Sequence, residues 1–214
     1  DDSDSVDSDG DGVGENADLD ADGDGLFEIS SLEELNEIRN NLDGTTLFGE
    51  STGCPEDGCI GFELTDHLDF DTNQDQLMNE EDTYWNEGLG WTAMGAYNNP
   101  FSAIFEGNGF EILNLYINQP SNDELGLFAY MNSGEIRHLG LSGPLMSIIG
   151  DSYIGAFVGE LLDDNLISDS YNTGPIQGSY CIGGLAGCGS DNNQIINSYN
   201  SGAVQGSEDE WDIG

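Results

Sequence analysis

Short apolar runs separated by Gly and polar residues fill the second half of the chain and recur at a fixed distance. Gly155-Ala-Phe-Val-Gly159 returns as Gly183-Gly-Leu-Ala-Gly187, and Ser170-Tyr171-Asn172 returns as Ser198-Tyr199-Asn200, in each case 28 residues later. A looser copy begins at Leu125. A period of this length, with aromatic and β-branched residues instead of helical heptads, is typical of stacked β-coils. The sequence therefore predicts a mainly β fold, a parallel β-solenoid (β-helix) of about 28-residue coils.

The pattern upstream is different and predicts one short amphipathic helix. Ser31 followed by Glu34 is a capping box, which marks a helix start. A helical end is expected near Asp43-Gly44, and a short strand at 60–64. The apolar residues of the helix recur at three- and four-residue steps: Leu32, Leu35, Ile38 and Leu42.

Composition divides the chain into three predicted regions. Residues 1–30 form an acidic calcium-binding segment, residues 31–90 form a cap with the helix, and residues 91–214 form the solenoid. A further repeat starts after Gly206 and is incomplete. Because a cut solenoid leaves an open edge, we expect self-association through the solenoid ends, including head-to-tail assembly into a filament. The alternative is a fragment of a longer surface protein.

One segment carries a family resemblance. Phe101-Ser-Ala-Ile-Phe-Glu-Gly-Asn-Gly-Phe-Glu-Ile-Leu-Asn-Leu115, followed by Ile-Gly-x-x-x-Gly units, closely resembles secreted bacterial proteins that carry the GLUG motif. The resemblance covers Trp91 to the C-terminus. It implies a β-helical stack on a large surface or secreted protein, often adhesin-like.

Charge restricts the functions that the chain can have. The 43 Asp and Glu face two Arg and no Lys, which gives a formal net charge of −41. Self-repulsion of this size destabilises a compact state unless cations offset it. Nucleic acid is excluded as a partner because too few cations can meet phosphates. No apolar run is long enough for direct membrane insertion.

The spacing of the acids predicts Ca²⁺ as the cofactor, with three or more ions. Carboxylates at the first, third and fifth positions of a loop, with Gly at the sixth, build an oxygen cage for a hard cation. The first predicted loop has the ligands Asp7, Asp9, Asp11, Val13, Glu15 and Asp18. The second has Asp20, Asp22, Asp24, Leu26 and Glu28. The third has Asp71, Asn73, Asp75, Leu77 and Asp82, with Asp69 nearby.

Two of these loop regions also resemble known modules. The N-terminal run resembles a thrombospondin type 3 repeat, and the third loop resembles the calcium loop of dockerin modules, with Gln76 where Gly is usual. Three ions offset only about six negative charges. The remainder predicts saline surroundings, where screening is short-ranged, or calcium bridges between chains.

Four cysteines fall in two close pairs. Cys54 and Cys59 bracket a tight loop, and Cys181 and Cys188 lie in a Gly-rich segment. Neither pair has a local Cys or His partner that would complete a zinc site. We expect two disulfides, and therefore an extracellular or cell-surface location.

Catalysis is not expected. Arg137-His138 is the one basic pair, and in a strand its side chains would point to opposite faces. His67 is expected at the surface or near a metal. No nucleophile–His constellation or phosphate loop appears in the sequence.

Aromatic residues near residue 90 leave two readings open. Trp85 and Trp91 either pack over the end of the first coil or contact a glycan. The sequence therefore predicts a calcium-stabilised structural or adhesive surface protein that is not an enzyme. The alternative is a carbohydrate-binding adhesin module or a non-catalytic region of a secreted polysaccharide-active protein.

Overall fold

Short parallel strands lie one above another along the molecule in the computed structural model, which describes residues 18–206. The longest sheet, sheet I, has six strands, and each pairs in parallel with its neighbour in the next coil. This arrangement confirms the predicted mainly β fold and the parallel β-solenoid. The strands of sheet I are Leu26–Ile29, Gly61–Leu64, Ile104–Glu106, Glu135–Arg137, Leu166–Ser168 and Gln194–Ile196.

Four smaller sheets form the other sides of the coils, and all their strand pairs are parallel. Sheet II comprises Leu68–Asp69, Glu111–Leu113, Gly140–Ser142, Tyr171–Asn172 and Tyr199–Asn200. Sheet III comprises Tyr116–Asn118, Ser147–Ile149, Ile176–Gly178 and Val204–Gly206. Sheet IV comprises Phe128–Met131, Val158–Leu161 and Ala186–Gly189, and sheet V comprises Ser152–Ile154 and Tyr180–Ile182.

The coils differ in length along the stack. Asn172 donates a hydrogen bond to Asn200, 28 residues later, whereas Gly134 donates to Asn165 across a coil of 31 residues. Earlier in the chain, Asn114 donates to Asp69 across 45 residues, because the third acidic loop and the segment after it lie within this coil. The predicted period therefore holds for the last coils and lengthens towards the N-terminus.

One part of the core is a ladder of inward-facing side chains in sheet I. Its members, paired in register from coil to coil, are Phe27, Phe62, Phe105, Ile136, Ile167 and Ile195. The first five are fully buried. Ile195, in the last described coil, is 48% exposed because no described coil covers it. Each coil thus buries its apolar residues against its neighbours, as expected of a solenoid.

The repeated Ser-Tyr-Asn triplet forms three parallel contacts between the last two coils. Ser198 Oγ accepts from the Ser170 N–H at 3.1 Å, and the rings of Tyr171 and Tyr199 stack with centroids 5.3 Å apart. Asn172, which is fully buried, donates to the Asn200 side chain. The sequence repeat is therefore a direct consequence of coil-to-coil stacking.

The predicted helix is present but shorter in its regular part. It spans Leu32–Glu37 and continues as a 3₁₀ turn over Ile38–Asn40. The predicted N-cap is confirmed, since the Glu34 N–H donates to Ser31 Oγ at 3.3 Å. In the other half of the box, the Glu34 carboxylate accepts from the Ser30 N–H at 2.8 Å and from Ser31 Oγ. The chain leaves the helical region at Asn41, whose ψ is 69°. A second 3₁₀ turn lies at Asn86–Gly88.

The parallel stack begins upstream of Trp91. Strands Leu26–Ile29, Gly61–Leu64 and Leu68–Asp69 already belong to sheets I and II. Residues assigned from composition to a cap thus contribute strands to the solenoid sheets.

Both predicted disulfides are present, Cys54–Cys59 and Cys181–Cys188. Between residues 18 and 206, no helix has the length and apolar character needed to cross a membrane.

Candidate metal centre

The second predicted calcium loop, here called loop A (residues 18–28), wraps its own backbone around carboxylates. Asp20 is fully buried, and its two oxygens accept the N–H groups of Asp24 at 3.1 Å and Gly25 at 3.0 Å. Asp22 Oδ1 also accepts from Asp24, and Asp24 Oδ1 accepts from Leu26 at 2.9 Å. These bonds curl the chain so that alternate side chains point to one centre.

Three carboxylates converge in loop A. Oxygen atoms of Asp20, Asp22 and Asp24 all lie within 4.8 Å of one another. Burial, only partly offset by the Gly25 hydrogen bond, raises the pKa of Asp20 to about 6. Burial and the charge of Asp22 also raise the pKa of Asp24. A set of hard oxygen donors whose like charges oppose one another fits Ca²⁺, because a divalent cation removes that repulsion.

The third predicted loop, here called loop B (residues 69–82), repeats this scheme. Asp71 is buried, and its oxygens accept the N–H groups of Asp75 at 3.2 Å and Gln76 at 2.9 Å. Asn73 Oδ1 accepts from Asp75, and Asp75 Oδ1 accepts from Leu77 at 2.8 Å. The two loops therefore share the same hydrogen-bonded positions.

The sharp turn forms in loop B although Gln replaces Gly. In loop A, Gly23 and Gly25 have φ of 71° and 87°, and in loop B Gln74 and Gln76 have φ of 58° and 67°. Both loops thus place their fourth and sixth positions in the left-handed region, which Gly occupies without steric cost and Gln does not.

The residues that flank each loop also correspond. Asp18 Oδ1 accepts from the Asp20 N–H at 3.0 Å, and Asp69 Oδ1 accepts from Asp71 at 2.9 Å. Asp69 additionally accepts from Asn114 Nδ2, which ties loop B to the next coil. Asp82, at the end of loop B, is buried and accepts from the backbone of Thr72 at 2.8 Å. Asp82 therefore closes the loop by hydrogen bonding.

The other predicted ligands are placed as follows. Leu26 and Glu28 lie on the first strand of sheet I, and Leu77 is 61% exposed. Five predicted ligands of the first loop lie outside the described residues: Asp7, Asp9, Asp11, Val13 and Glu15.

A disulfide lies against loop A. Cys59 Sγ is 3.5 Å from Asp20 Oδ2. Because Cys59 is bonded to Cys54, its sulfur offers neither a thiol proton nor a thiolate ligand. The disulfide therefore limits the access of water to Asp20 instead of supplying a ligand.

A ladder of acids on sheet I escaped the sequence analysis. Glu28, Glu63 and Glu106 pair in register in successive coils, and Arg137 follows in the next. Burial raises the pKa of Glu63 to about 7. A hydrogen bond from Asn108 lowers this pKa in part, and the negative charge of Asp24 raises it further. A sequence signal exists, since the dipeptide Phe-Glu occurs at all three acidic steps: Phe27-Glu28, Phe62-Glu63 and Phe105-Glu106.

The expectation that Arg137 and His138 point to opposite faces is wrong. Arg137 Nε lies 3.2 Å from one Glu106 oxygen, and His138 Nδ1 lies 2.9 Å from the other. The strand ends at Arg137 and His138 has φ of 49°, so strict alternation does not apply to it. Both basic side chains therefore contact one carboxylate of the acidic ladder.

His67 lies at the surface, as expected. Its Nδ1 accepts the Glu111 N–H at 3.0 Å, and its ring meets the ring of Phe110 edge-on. These contacts hold it against sheet II.

The two candidate glycan-contact residues differ in exposure. Trp91 is 1% exposed, and its indole N–H donates to the Leu127 carbonyl at 3.1 Å. Trp91 therefore packs in the core, which agrees with the packing interpretation. Trp85 is half-buried and stacks on Tyr116, with ring centroids 5.5 Å apart.

Comparison with known proteins gives two partial similarities. Halomucin from Haloquadratum walsbyi is 40% identical over 84 residues, which are 36% of this chain and 1% of Halomucin. A protein from Evansella cellulosilytica, described as a Gly-rich membrane protein, is 32% identical over 74 residues, 34% of this chain and 9% of that protein. The chain thus spans a small part of the length of either relative. No family model and no solved structure matches.

Proposed function

We propose that the chain is a calcium-stabilised structural or adhesive part of an extracellular surface protein, in which the solenoid is the scaffold and the acidic loops are its metal-dependent joints. The role is not catalytic. Asp20, Asp22 and Asp24 would hold one ion, and Asp71, Asn73 and Asp75 a second. Calcium would supply positive charge where the loops gather acids.

The observation that carries this proposal is that loops A and B have the same hydrogen bonds at equivalent positions. Both bind the backbone of their fifth and sixth residues to a buried first aspartate, at Asp20 and at Asp71. The two loops have these bonds in common although their sequences differ: the third and sixth positions are Asp22 and Gly25 in loop A, and Asn73 and Gln76 in loop B. Such a shared arrangement, with oxygen donors directed inward, favours a common ligand, and the donor type favours Ca²⁺.

The location at a surface in saline surroundings rests on separate evidence. Two disulfides favour an oxidising compartment. The similarity to Halomucin and the net charge of −41 favour saline surroundings, where screening shortens the range of repulsion. We propose, from the sequence motifs alone, that the repeats are of the GLUG type.

Self-association belongs to the same proposal. The last described coil leaves Ile195, Ile196, Tyr199 and Val204 between 43% and 55% exposed. Ile195 and Val204 pair in register with Ile167 and Ile176 of the preceding coil, which are buried, so a further coil, from this or another chain, would bury them too. For the carbohydrate-binding alternative, Trp85 is the more exposed of the two candidate aromatic residues.

Hydrogen exchange with and without calcium tests the structural role. We expect amides of residues 18–28 and 69–82 to become protected when calcium is added, whereas amides of Ile136 and Ile167 are protected in both states. Equal exchange of the loops in calcium and in chelator would contradict the proposal.

Sedimentation tests the adhesive, self-associating part. In calcium the chain should form larger species as its concentration rises, and Ile195→Glu should reduce them because a charge on the open edge opposes burial. A monomer at every concentration would remove self-association from the proposal while leaving the calcium role intact.

A further inference from the structure

Arg39 lies at the end of the helical segment, in contact with an aromatic ring. Its guanidinium carbon is 4.9 Å from the Trp91 ring centroid. Nε donates to Asn36 Oδ1 at 2.9 Å, and Nη2 donates to the Thr92 carbonyl at 3.1 Å. The side chain is half-buried, so its orientation is fixed while part of it faces outward.

The two arginines have different electrostatic environments. Arg137 forms ion pairs with Glu106 and Glu135. Within residues 18–206, Arg39 forms no ion pair with any Asp or Glu, although the chain contains 43 of them. Burial lowers the pKa of Arg39, and no carboxylate opposes this effect. A partly desolvated cation without a counter-charge is costly, so a ligand anion at this place would be stabilised.

A cavity of about 400 Å³ opens beside this guanidinium. Its lining combines aromatic side chains with neutral amides and hydroxyls, and no Asp or Glu is among them. The residues besides Arg39 and Trp91 that matter here are Asn36, Thr83, Tyr84, Asn86 and Thr92. The volume is in the range of small-molecule sites, about 300–1,000 Å³. Nη1 has no protein partner among the described residues, which leaves donors for a ligand.

We propose that this cavity binds a carboxylated sugar unit, with the Arg39 guanidinium pairing with the carboxylate of a uronate. A planar fork of N–H donors matches a planar carboxylate. The amides and hydroxyls of Asn36, Asn86, Thr83 and Thr92 match the ring hydroxyls of a sugar. A phosphate, with more negative charge, would be repelled more strongly by a chain of net charge −41.

This site is separate from the calcium loops, and it goes beyond the structural role proposed above. Its ligand would be recognised by a cation and neutral donors, not by a shared metal ion. Loss of calcium binding and loss of uronate binding are therefore distinguishable by variants in different places.

Calorimetry of the full chain in calcium, titrated with the monosaccharide galacturonate, tests the proposal. We expect saturable binding, with little binding of neutral galactose. Arg39→Gln should weaken binding by about 10- to 100-fold, the effect of losing a hydrogen-bonded charge. Arg137→Gln makes the same change in net charge away from the cavity and should bind as the parent chain does.

A second variant keeps Arg39 in place. Thr92 is exposed, lies outside the calcium loops and lines the cavity, so Thr92→Trp should fill it and abolish binding, while the Thr92 carbonyl that accepts from Arg39 is retained. Thermal unfolding of each variant, compared with that of the parent, identifies any loss of fold.

Three results would overturn the proposal: no saturable binding of galacturonate, equal binding by folded Arg39→Gln, or equal binding of neutral galactose. Equal binding of a short peptide through its C-terminal carboxylate would also overturn the assignment to a sugar.

Discussion

The acidic loops and the apolar ladder of sheet I differ in the interactions that stabilise them. In the ladder, Phe62, Phe105 and Ile136 are fully buried against one another, and no charge is involved. In loop A, Asp20 is equally buried, and this burial, together with the charges of Asp24 and Asp22, raises its pKa. Burial stabilises the first region and, without a cation, destabilises the second.

This contrast separates the two tasks of the sequence. The ladder orders coils through their contacts with adjacent coils, so its stability does not depend on ions. Loops A and B bring carboxylates of like charge together beside the first coils. The conformational order of these loops is therefore expected to depend on cations from the solution. The negative charge is therefore expected to affect the stability of the acidic loops more than the stability of the stacked coils.

The largest expected effect is on the ladder. Phe105→Ala removes a fully buried ring between Phe62 and Ile136 and should lower the free energy of unfolding by about 3–5 kcal/mol. Urea unfolding measures this change. Ile195→Ala, at the exposed step of the same ladder, is the matched control and should cost less than about 1 kcal/mol. Equal losses would mean that the coils do not support one another through the ladder.

A smaller effect is expected at the acidic ladder, where pH is the variable. The pKa of Glu63 rises from 4.5 to about 7 in the folded protein, chiefly because of burial. The folded state prefers the protonated acid, so this group's stabilising contribution is fully present below pH 4.5 and is lost as the pH rises through about 7.

Glu63→Gln stays neutral at every pH and can still accept the hydrogen bond from Asn108. In chelator, the variant should match the parent below pH 4.5 and be more stable by about 1–3 kcal/mol above pH 7. Thermal unfolding across this pH range measures the difference. A difference that does not change with pH would contradict the assignment to Glu63.

The smallest effect compares the sixth positions of the two loops. Gln76→Gly should relieve the left-handed backbone of loop B and tighten calcium binding there by about 1 kcal/mol. Gly25→Ala should weaken loop A by a similar amount, through backbone strain and not through a clash, because the nearest atom to an added Cβ is 3.7 Å away. Calcium titrations of both variants measure the pair. Weaker binding by Gln76→Gly, or tighter binding by Gly25→Ala, would show that the turn geometry does not limit binding.

The repeat and the capping box could be predicted because each depends on local spacing. The Ser-Tyr-Asn triplet fixes both the coil length and the contacts of Tyr171 and Asn172 with the next coil. The position of His138 could not be predicted, since its left-handed backbone ends the alternation that strands follow. The burial of Trp91 depends on a contact with Leu127, which no local pattern reveals.

The positions of the candidate ligands on curled loops could be predicted from the sequence, and the surroundings of the loops could be predicted less well. Alternating acids identified the positions of Asp20 and Asp71, and the structure places both at the centre of a curled loop. The acidic ladder was missed because Glu63 and Glu106 are far apart in sequence and meet only through stacking. Single acids in apolar strands give a weaker signal than clustered ones.

Calcium titration by calorimetry tests the central claim most directly. The parent chain should bind calcium, and Asp24→Asn and Asp75→Asn, which change the fifth position of loops A and B, should each remove one binding event. Both variants keep an oxygen that can accept the Leu26 or Leu77 N–H. Asp57→Asn, in the exposed Cys54–Cys59 loop, has the same change in charge and should leave binding unchanged. A parent chain that binds no calcium, or loop variants that keep its full stoichiometry, would contradict the account.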